Sequence, residues 1–133
     1  MIYNFSFLLP PNTPLSAMKK EEVKLRAGII QKVEILFPAG CAGLAKVAID
    51  RFNTQILPVN LGSFYYSDNE TIINELDLPL KDRPYTLLFK GYNLDDTYPH
   101  NIQIRVNLKL LEELPHIILP SEESQRLIEE FGL

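Results

Sequence analysis

Residues 102–110 alternate without a break. Ile102, Ile104, Val106, Leu108 and Leu110 are separated by Gln103, Arg105, Asn107 and Lys109. Successive side chains of a strand point to opposite faces, so this segment has one wholly apolar and one wholly polar face. It fits an antiparallel sheet with one side wet, since strands of parallel sheets are apolar on both sides.

The same period recurs. Tyr3, Phe5, Phe7 and Leu9 form one apolar row, and Val23, Leu25 and Ala27 a second. Val33, Ile35 and Phe37 precede Pro38, which stops a strand; Ala45, Val47 and Ile49 follow. Ile72, Asn74 and Leu76 make a weaker row, and Tyr85, Leu87 and Phe89 run up to Gly91, a candidate bulge or close approach. Turn signals separate the rows: residues 10–14 (Pro-Pro-Asn-Thr-Pro), 38–40, 60–62, 67–69 and 93–96. Short strands with no helical pattern between them predict an all-β antiparallel sandwich, jelly-roll-like, of about eight strands. The segments on either side of Asp95 are expected to form a hairpin closed by a longer loop.

The C-terminal stretch reads differently. Residues 112–133 carry six acids and one base, whereas the preceding residues carry eleven acids and twelve bases. The division predicted is a sandwich over 1–111 and an acidic tail over 112–133. Ser121 is a plausible N-cap, Glu122 and Glu123 suit a helix N-terminus, and Gly132 can end a helix. Leu127, Ile128 and Phe131 then share one face of a short helix, which at three turns must pack on something. The candidates are its own sandwich or, together with Ile118, a neighbouring subunit.

A chain of 133 residues with a net charge of −4 fits one domain and does not offer the clustered Lys and Arg that hold phosphate backbones, so no nucleic-acid partner is expected. Cys41 is the only cysteine and reads as a buried structural thiol. The first nine residues lack a basic leader and run into Pro10 and Pro11, a poor secretory signal. No apolar run approaches the ~20 residues of a membrane span, and no membrane partner is expected.

Catalytic patterns are not apparent. His100 and His116 lack ligands at helical or CxxC spacing; Asp95, Asp96 and His100 could hold a cation within one loop, but such acids more often form turns. No GxSxG elbow and no glycine-rich phosphate loop occurs, and the paired acids are adjacent, which on a strand turns them apart. The expectation is a non-enzyme with no metal, no cofactor and no catalytic residue. Recognition features are richer: Phe64, Tyr65 and Tyr66 sit together beside Gly62 and Ser67, and Tyr92 and Tyr98 flank the acidic loop. Such aromatics can stack on sugars, anchor a protein, or simply cap the core.

Within residues 33–108, the segments Phe37-Pro38-Ala39-Gly40-Cys41-Ala42-Gly43-Leu44, Gln55-Ile56-Leu57-Pro58-Val59-Asn60 and Asp68-Asn69-Glu70-Thr71-Ile72 resemble small β-sandwich proteins encoded by tailed phages, prophages and archaeal viruses. So do Pro84-Tyr85-Thr86-Leu87, Gly91-Tyr92-Asn93 and Asp95-Asp96-Thr97-Tyr98-Pro99-His100. The resemblance implies a compact viral β-sandwich and carries no catalytic residues. It leads to the expectation of a virion structural protein, one that decorates or cements a capsid or connects virion parts, located in the virion and in the host cytoplasm during assembly. Its partners would be other virion or capsid proteins and further copies of itself, since sandwich edges accept a neighbour's strand. Phe5 and Phe7, on a first strand set off by a proline-rich linker, are candidate oligomer contacts with Ile118, Leu127, Ile128 and Phe131. The alternative is a carbohydrate- or receptor-binding adhesin module, with a glycan on Tyr65, Tyr66, Tyr92 and Tyr98.

Overall fold

The computed structural model describes residues 1–110. Eight strands follow in order: β1 (Ile2–Leu9), β2 (Lys19–Lys24), β3 (Gly28–Phe37), β4 (Ala45–Arg51), β5 (Thr54–Leu57), β6 (Glu70–Leu80), β7 (Thr86–Asn93) and β8 (His100–Leu110). One 3-10 turn, Leu15–Ala17, lies between β1 and β2, and no α-helix occurs among the described residues. The strands make two four-stranded antiparallel sheets, ordered β1-β8-β3-β6 and β2-β7-β4-β5. The predicted tail and its helix, with Ile118, Leu127, Ile128 and Phe131, lie outside the described residues.

The alternation read in the sequence is what closes the sandwich. Phe7 and Leu9 of β1, Val33, Ile35 and Phe37 of β3, Val47 and Ile49 of β4, Leu87 and Phe89 of β7, and Ile102 to Leu108 of β8 all face one buried core. Phe89 meets the rings of Phe5 and Phe7 edge to face, 5.4 and 6.1 Å between centroids, and so joins the two sheets. Fully burying each such side chain contributes about 1.5–3 kcal/mol. In β3, Ile30 and Val33 are both inward although three apart. The register slips between Ile30 and Lys32, and the extra residue, Gln31, restores the phase.

Two expectations need correction. β7 and β8 are not a hairpin: they lie in different sheets, and the loop between them crosses from one to the other. Alternation tells which face of a strand is buried but not which strand it pairs with, and β8 pairs with β1 and β3 instead. The second strand covers Lys19–Lys24 rather than residues 23–27, although Leu25 still donates its N–H to Tyr85 O at 2.7 Å. A strand not foreseen, β5, folds back on β4 through Phe52 and Asn53, both at positive φ (52° and 62°), as a tight two-residue hairpin turn requires.

Candidate functional site

The outer face of the β2-β7-β4-β5 sheet carries the candidate site. Cross-strand register sets Lys46 opposite Tyr92 and Ala48 opposite Lys90. Where β5 stops short, residues 64–66 take its place, with Tyr65 bridged to Val47 by two backbone bonds of 2.8 and 3.0 Å. Pairing with inward Val47 turns Tyr65 inward as well, and leaves Phe64 and Tyr66 on the outside.

Tyr65 is therefore a strut rather than a surface ligand. Its hydroxyl donates to Asn74 Oδ1 on β6 of the other sheet at 2.6 Å, and Asn74 Nδ2 donates to Val33 O. Burial pushes the Tyr65 phenol above its usual pKa. Phe64 and Tyr92 meet on the outside, edge to face, with centroids 5.1 Å apart at 82°. Lys46 Nζ lies 3.8 Å from the Tyr66 ring centroid, close enough for a cation–π contact, and burial lowers its pKa. Lys90 Nζ is 5.9 Å from the Phe64 ring and 3.0 Å from Asp50 Oδ1.

Around Phe64 and Tyr92 lies a groove of about 480 Å³, walled by Leu15, Met18, Gln55 and Leu61. Gln55 shapes one wall. Its single Nε2 approaches the carbonyls of Pro58, Asn60 and Ser63 at 2.9, 3.3 and 3.0 Å, so its two hydrogens are shared among three acceptors. That holds the 58–63 loop folded over the sheet. Leu15 and Leu61 rise on the rim, 54% and 76% exposed. Ring edges, an amide and ammonium groups beside apolar side chains are the parts of a recognition surface.

The β7–β8 connection forms a second polar cluster. Asn93 Nδ2 donates to Leu9 O and Tyr98 O, while its Oδ1 accepts from Asp95 N. Asp95 Oδ1 accepts from the backbone N–H of Thr97 and Tyr98, and Oδ2 lies 2.9 Å from His100 Nε2. These bonds, the Thr97 N–H first, hold the Asp95 carboxyl below its ordinary pKa. Asp96 turns away to accept from the Thr97 hydroxyl. Among the described residues no three His, Cys, Asp or Glu side chains converge as metal ligands do. Cys41 is fully buried, and its thiol is pushed up in pKa by burial, then by Asp68 and Asp95.

Of the aromatic residues singled out by sequence, Phe64 and Tyr92 line the groove, with Tyr66 next to it across Lys46. Tyr98 stands 65% exposed on the β7–β8 connection, outside the groove wall. Phe7 is spent inside its own core and Phe5 is half-buried there, stacked on Tyr3 at 5.9 Å. Gln55, Lys46 and Lys90 were not singled out as site residues, and Phe64 was grouped with Tyr65 and Tyr66 rather than set on the opposite face from Tyr65. The alternation across Phe64-Tyr65-Tyr66 was the available signal, because a strand there must split the three residues between two faces. No helix among the described residues is long and apolar enough to cross a membrane. No family model matches the chain, and no curated protein matches it.

Proposed function

We propose that this chain is a non-enzymatic virion structural protein that decorates or cements a capsid, or joins virion parts, through protein–protein contacts. The observation that carries the reading is the groove's rim: Leu15 and Leu61 stand out into solvent beside the Phe64–Tyr92 pair, an apolar and aromatic surface of the kind partners cover. Two further features support it. Pairing of β1 with β8, β2 with β7, β3 with β6 and β4 with β5 is the winding of a jelly roll, an architecture used by viral capsid and lectin domains. Residues 33–108 also resemble viral sandwich proteins. Particles released by cells that carry the gene are expected to contain the chain in many copies by quantitative mass spectrometry. Particles lacking it should bind the purified chain but not Leu61→Asp. Its absence from particles, with no co-sedimentation, overturns the reading.

A second reading, an adhesin module, rests on the Phe64–Tyr92 pair lying beside the Gln55 amide and the Lys90 ammonium, an arrangement suited to a sugar ring. Specific binding on a glycan array, lost in Tyr92→Ala, would favour it over virion assembly.

A further inference from the structure

A two-sheet sandwich has four edge strands: here β1, β6, β2 and β5. An edge presents unpaired N–H and C=O groups, and natural proteins guard it with charge, proline or shortness. Three of these edges are guarded. β5 has only four residues. β2 reads Lys-Lys-Glu-Glu-Val-Lys, and pairing two copies antiparallel about Glu22 sets Glu22 against Glu22 and Lys20 against Lys24. β6 contains Glu70, Glu75, Asp77 and Pro79, and self-pairing about its centre sets Glu75 against Glu75.

β1 is different. Its eight residues, Ile-Tyr-Asn-Phe-Ser-Phe-Leu-Leu, contain no charge and no proline. Met1 exchanges both backbone bonds with Leu108, at 2.8 and 2.9 Å. Antiparallel pairs alternate between bonded and non-bonded, so the odd-numbered residues of β1 bond to β8 and the even-numbered ones point their N–H and C=O outward. Among the described residues only Lys19 Nζ meets this outward row, donating to Leu8 O at 2.6 Å and leaving that carbonyl a second lone pair.

The strand is also a chemical palindrome about Phe5. Turned antiparallel on itself, it sets Ile2 against Leu8 and Asn4 against Ser6 on the outer face, and Tyr3 against Phe7 and Phe5 against Phe5 on the inner. All the outward backbone groups of the even residues then face one another. Ile2 and Leu8 are 59% and 46% exposed, and Phe5 is only half-buried, so each gains a partner of its own kind.

We infer that β1 pairs with the β1 of a second copy of this chain across a two-fold axis at Phe5, joining two four-stranded sheets into one of eight strands. The inference deepens the proposed function, since it names one contact an assembly protein would use. Its test stands apart, because self-association is read on the purified chain with no capsid present.

The full chain should sediment as a dimer at micromolar concentration, by analytical ultracentrifugation. Ser6→Pro removes an outward N–H and the exposed hydroxyl bond to Gln103 Oε1, but no backbone bond to β8, so it keeps the β8 ladder and should weaken dimerisation by about tenfold or more. Phe5→Cys puts two thiols on the axis at a non-bonded pair, where strand spacing suits a disulfide, and mild oxidation should give a covalent dimer while buried Cys41 stays reduced. A wild-type chain that stays monomeric at its highest soluble concentration overturns the inference. So does a dimer unaffected by Ser6→Pro. If Ser6→Pro fails to fold, the cysteine variant decides: failure to cross-link overturns the inference.

Discussion

The ring of Phe7 fills the space that a side chain at position 91 would need. A Cβ built on Gly91 would lie 3.1 Å from Phe7 Cε2 and 3.2 Å from Leu9 Cδ2, and would run into the backbone carbonyl of Lys46. Gly91 faces inward on β7, opposite Val47 on one side and Lys19 on the other. Its bareness lets β1 of one sheet settle against β7 of the other, and the Phe5–Phe89 and Phe7–Phe89 contacts depend on that approach.

Gly91→Ala is therefore expected to destabilise the fold far more than one methyl group suggests. The obstructing carbonyl belongs to the β4–β7 ladder and cannot rotate away. Overpacking of this kind costs about 2 kcal/mol or more, a fall in Tm of roughly 10 °C for a domain of this size. Thermal unfolding followed by circular dichroism checks it, and a Tm within a degree of wild type would refute the account of the core.

Asp95 makes stability depend on acid. Its folded-state carboxyl lies below its ordinary pKa because Thr97 N–H, Tyr98 N–H and His100 all bond the ionised form, against an opposing effect of burial. A group with a depressed folded pKa contributes stability that is present above its unfolded pKa and is lost as pH falls through the folded value. Asp95→Asn cannot titrate. It should lower Tm at neutral pH and flatten the acid limb of the Tm-against-pH curve, which a series of buffers across that limb would record.

The sequence showed which residues are inside far better than it showed which strands meet. Alternation in residues 102–110 reports a face directly, and all five apolar residues there are buried. Partner choice depends on where each loop leads, and nothing local in residues 94–99 says that the chain crosses to the other sheet. The segments 37–44 and 68–72 illustrate the same limit. Their turn chemistry was visible, but Asp68 Oδ1 accepting from Gly40 N and Ala42 N, at 2.8 and 3.2 Å, joins loops that sequence presents as unrelated. In the groove, Tyr92 was found because aromatics are conspicuous. Gln55 was not, since its role depends on three carbonyls that only the folded 58–63 loop brings together.

Arg51 is a clamp that lysine cannot replace. Its Nη1 donates to Pro84 O at 2.6 Å and Thr86 O at 3.1 Å, and its Nη2 to Asp82 O at 2.8 Å, while the guanidinium lies 3.7 Å from the Phe52 ring. The planar fork reaches two carbonyls of the β6–β7 connection and one at the start of β7, and stacks at the same time, which a single ammonium does not. Arg51→Lys keeps the charge and is expected to cost about 2 kcal/mol, with faster proteolysis at residues 81–85 as the local signature. Limited proteolysis with mapped cleavage sites distinguishes this from uniform destabilisation.

Tyr65 and Tyr92 should separate stability from recognition. Tyr65→Phe removes the hydroxyl bonded to Asn74 Oδ1 and leaves that acceptor half-buried without its donor, a loss of about 1 kcal/mol. It leaves the outer groove untouched, so binding to particles, or to a glycan if one is found, should stay within twofold of wild type. Tyr92→Ala removes half of the Phe64–Tyr92 pair from the groove wall. It should lower Tm as well, since Tyr92 is half-buried on a central strand. Unlike Tyr65→Phe, it should also cut binding by about tenfold or more at a temperature where both variants are folded, as loss of a central aromatic anchor does. Paired measurements of Tm and co-sedimentation on the two variants check this. If Tyr65→Phe weakens binding and Tyr92→Ala does not, the recognition surface is elsewhere on the molecule.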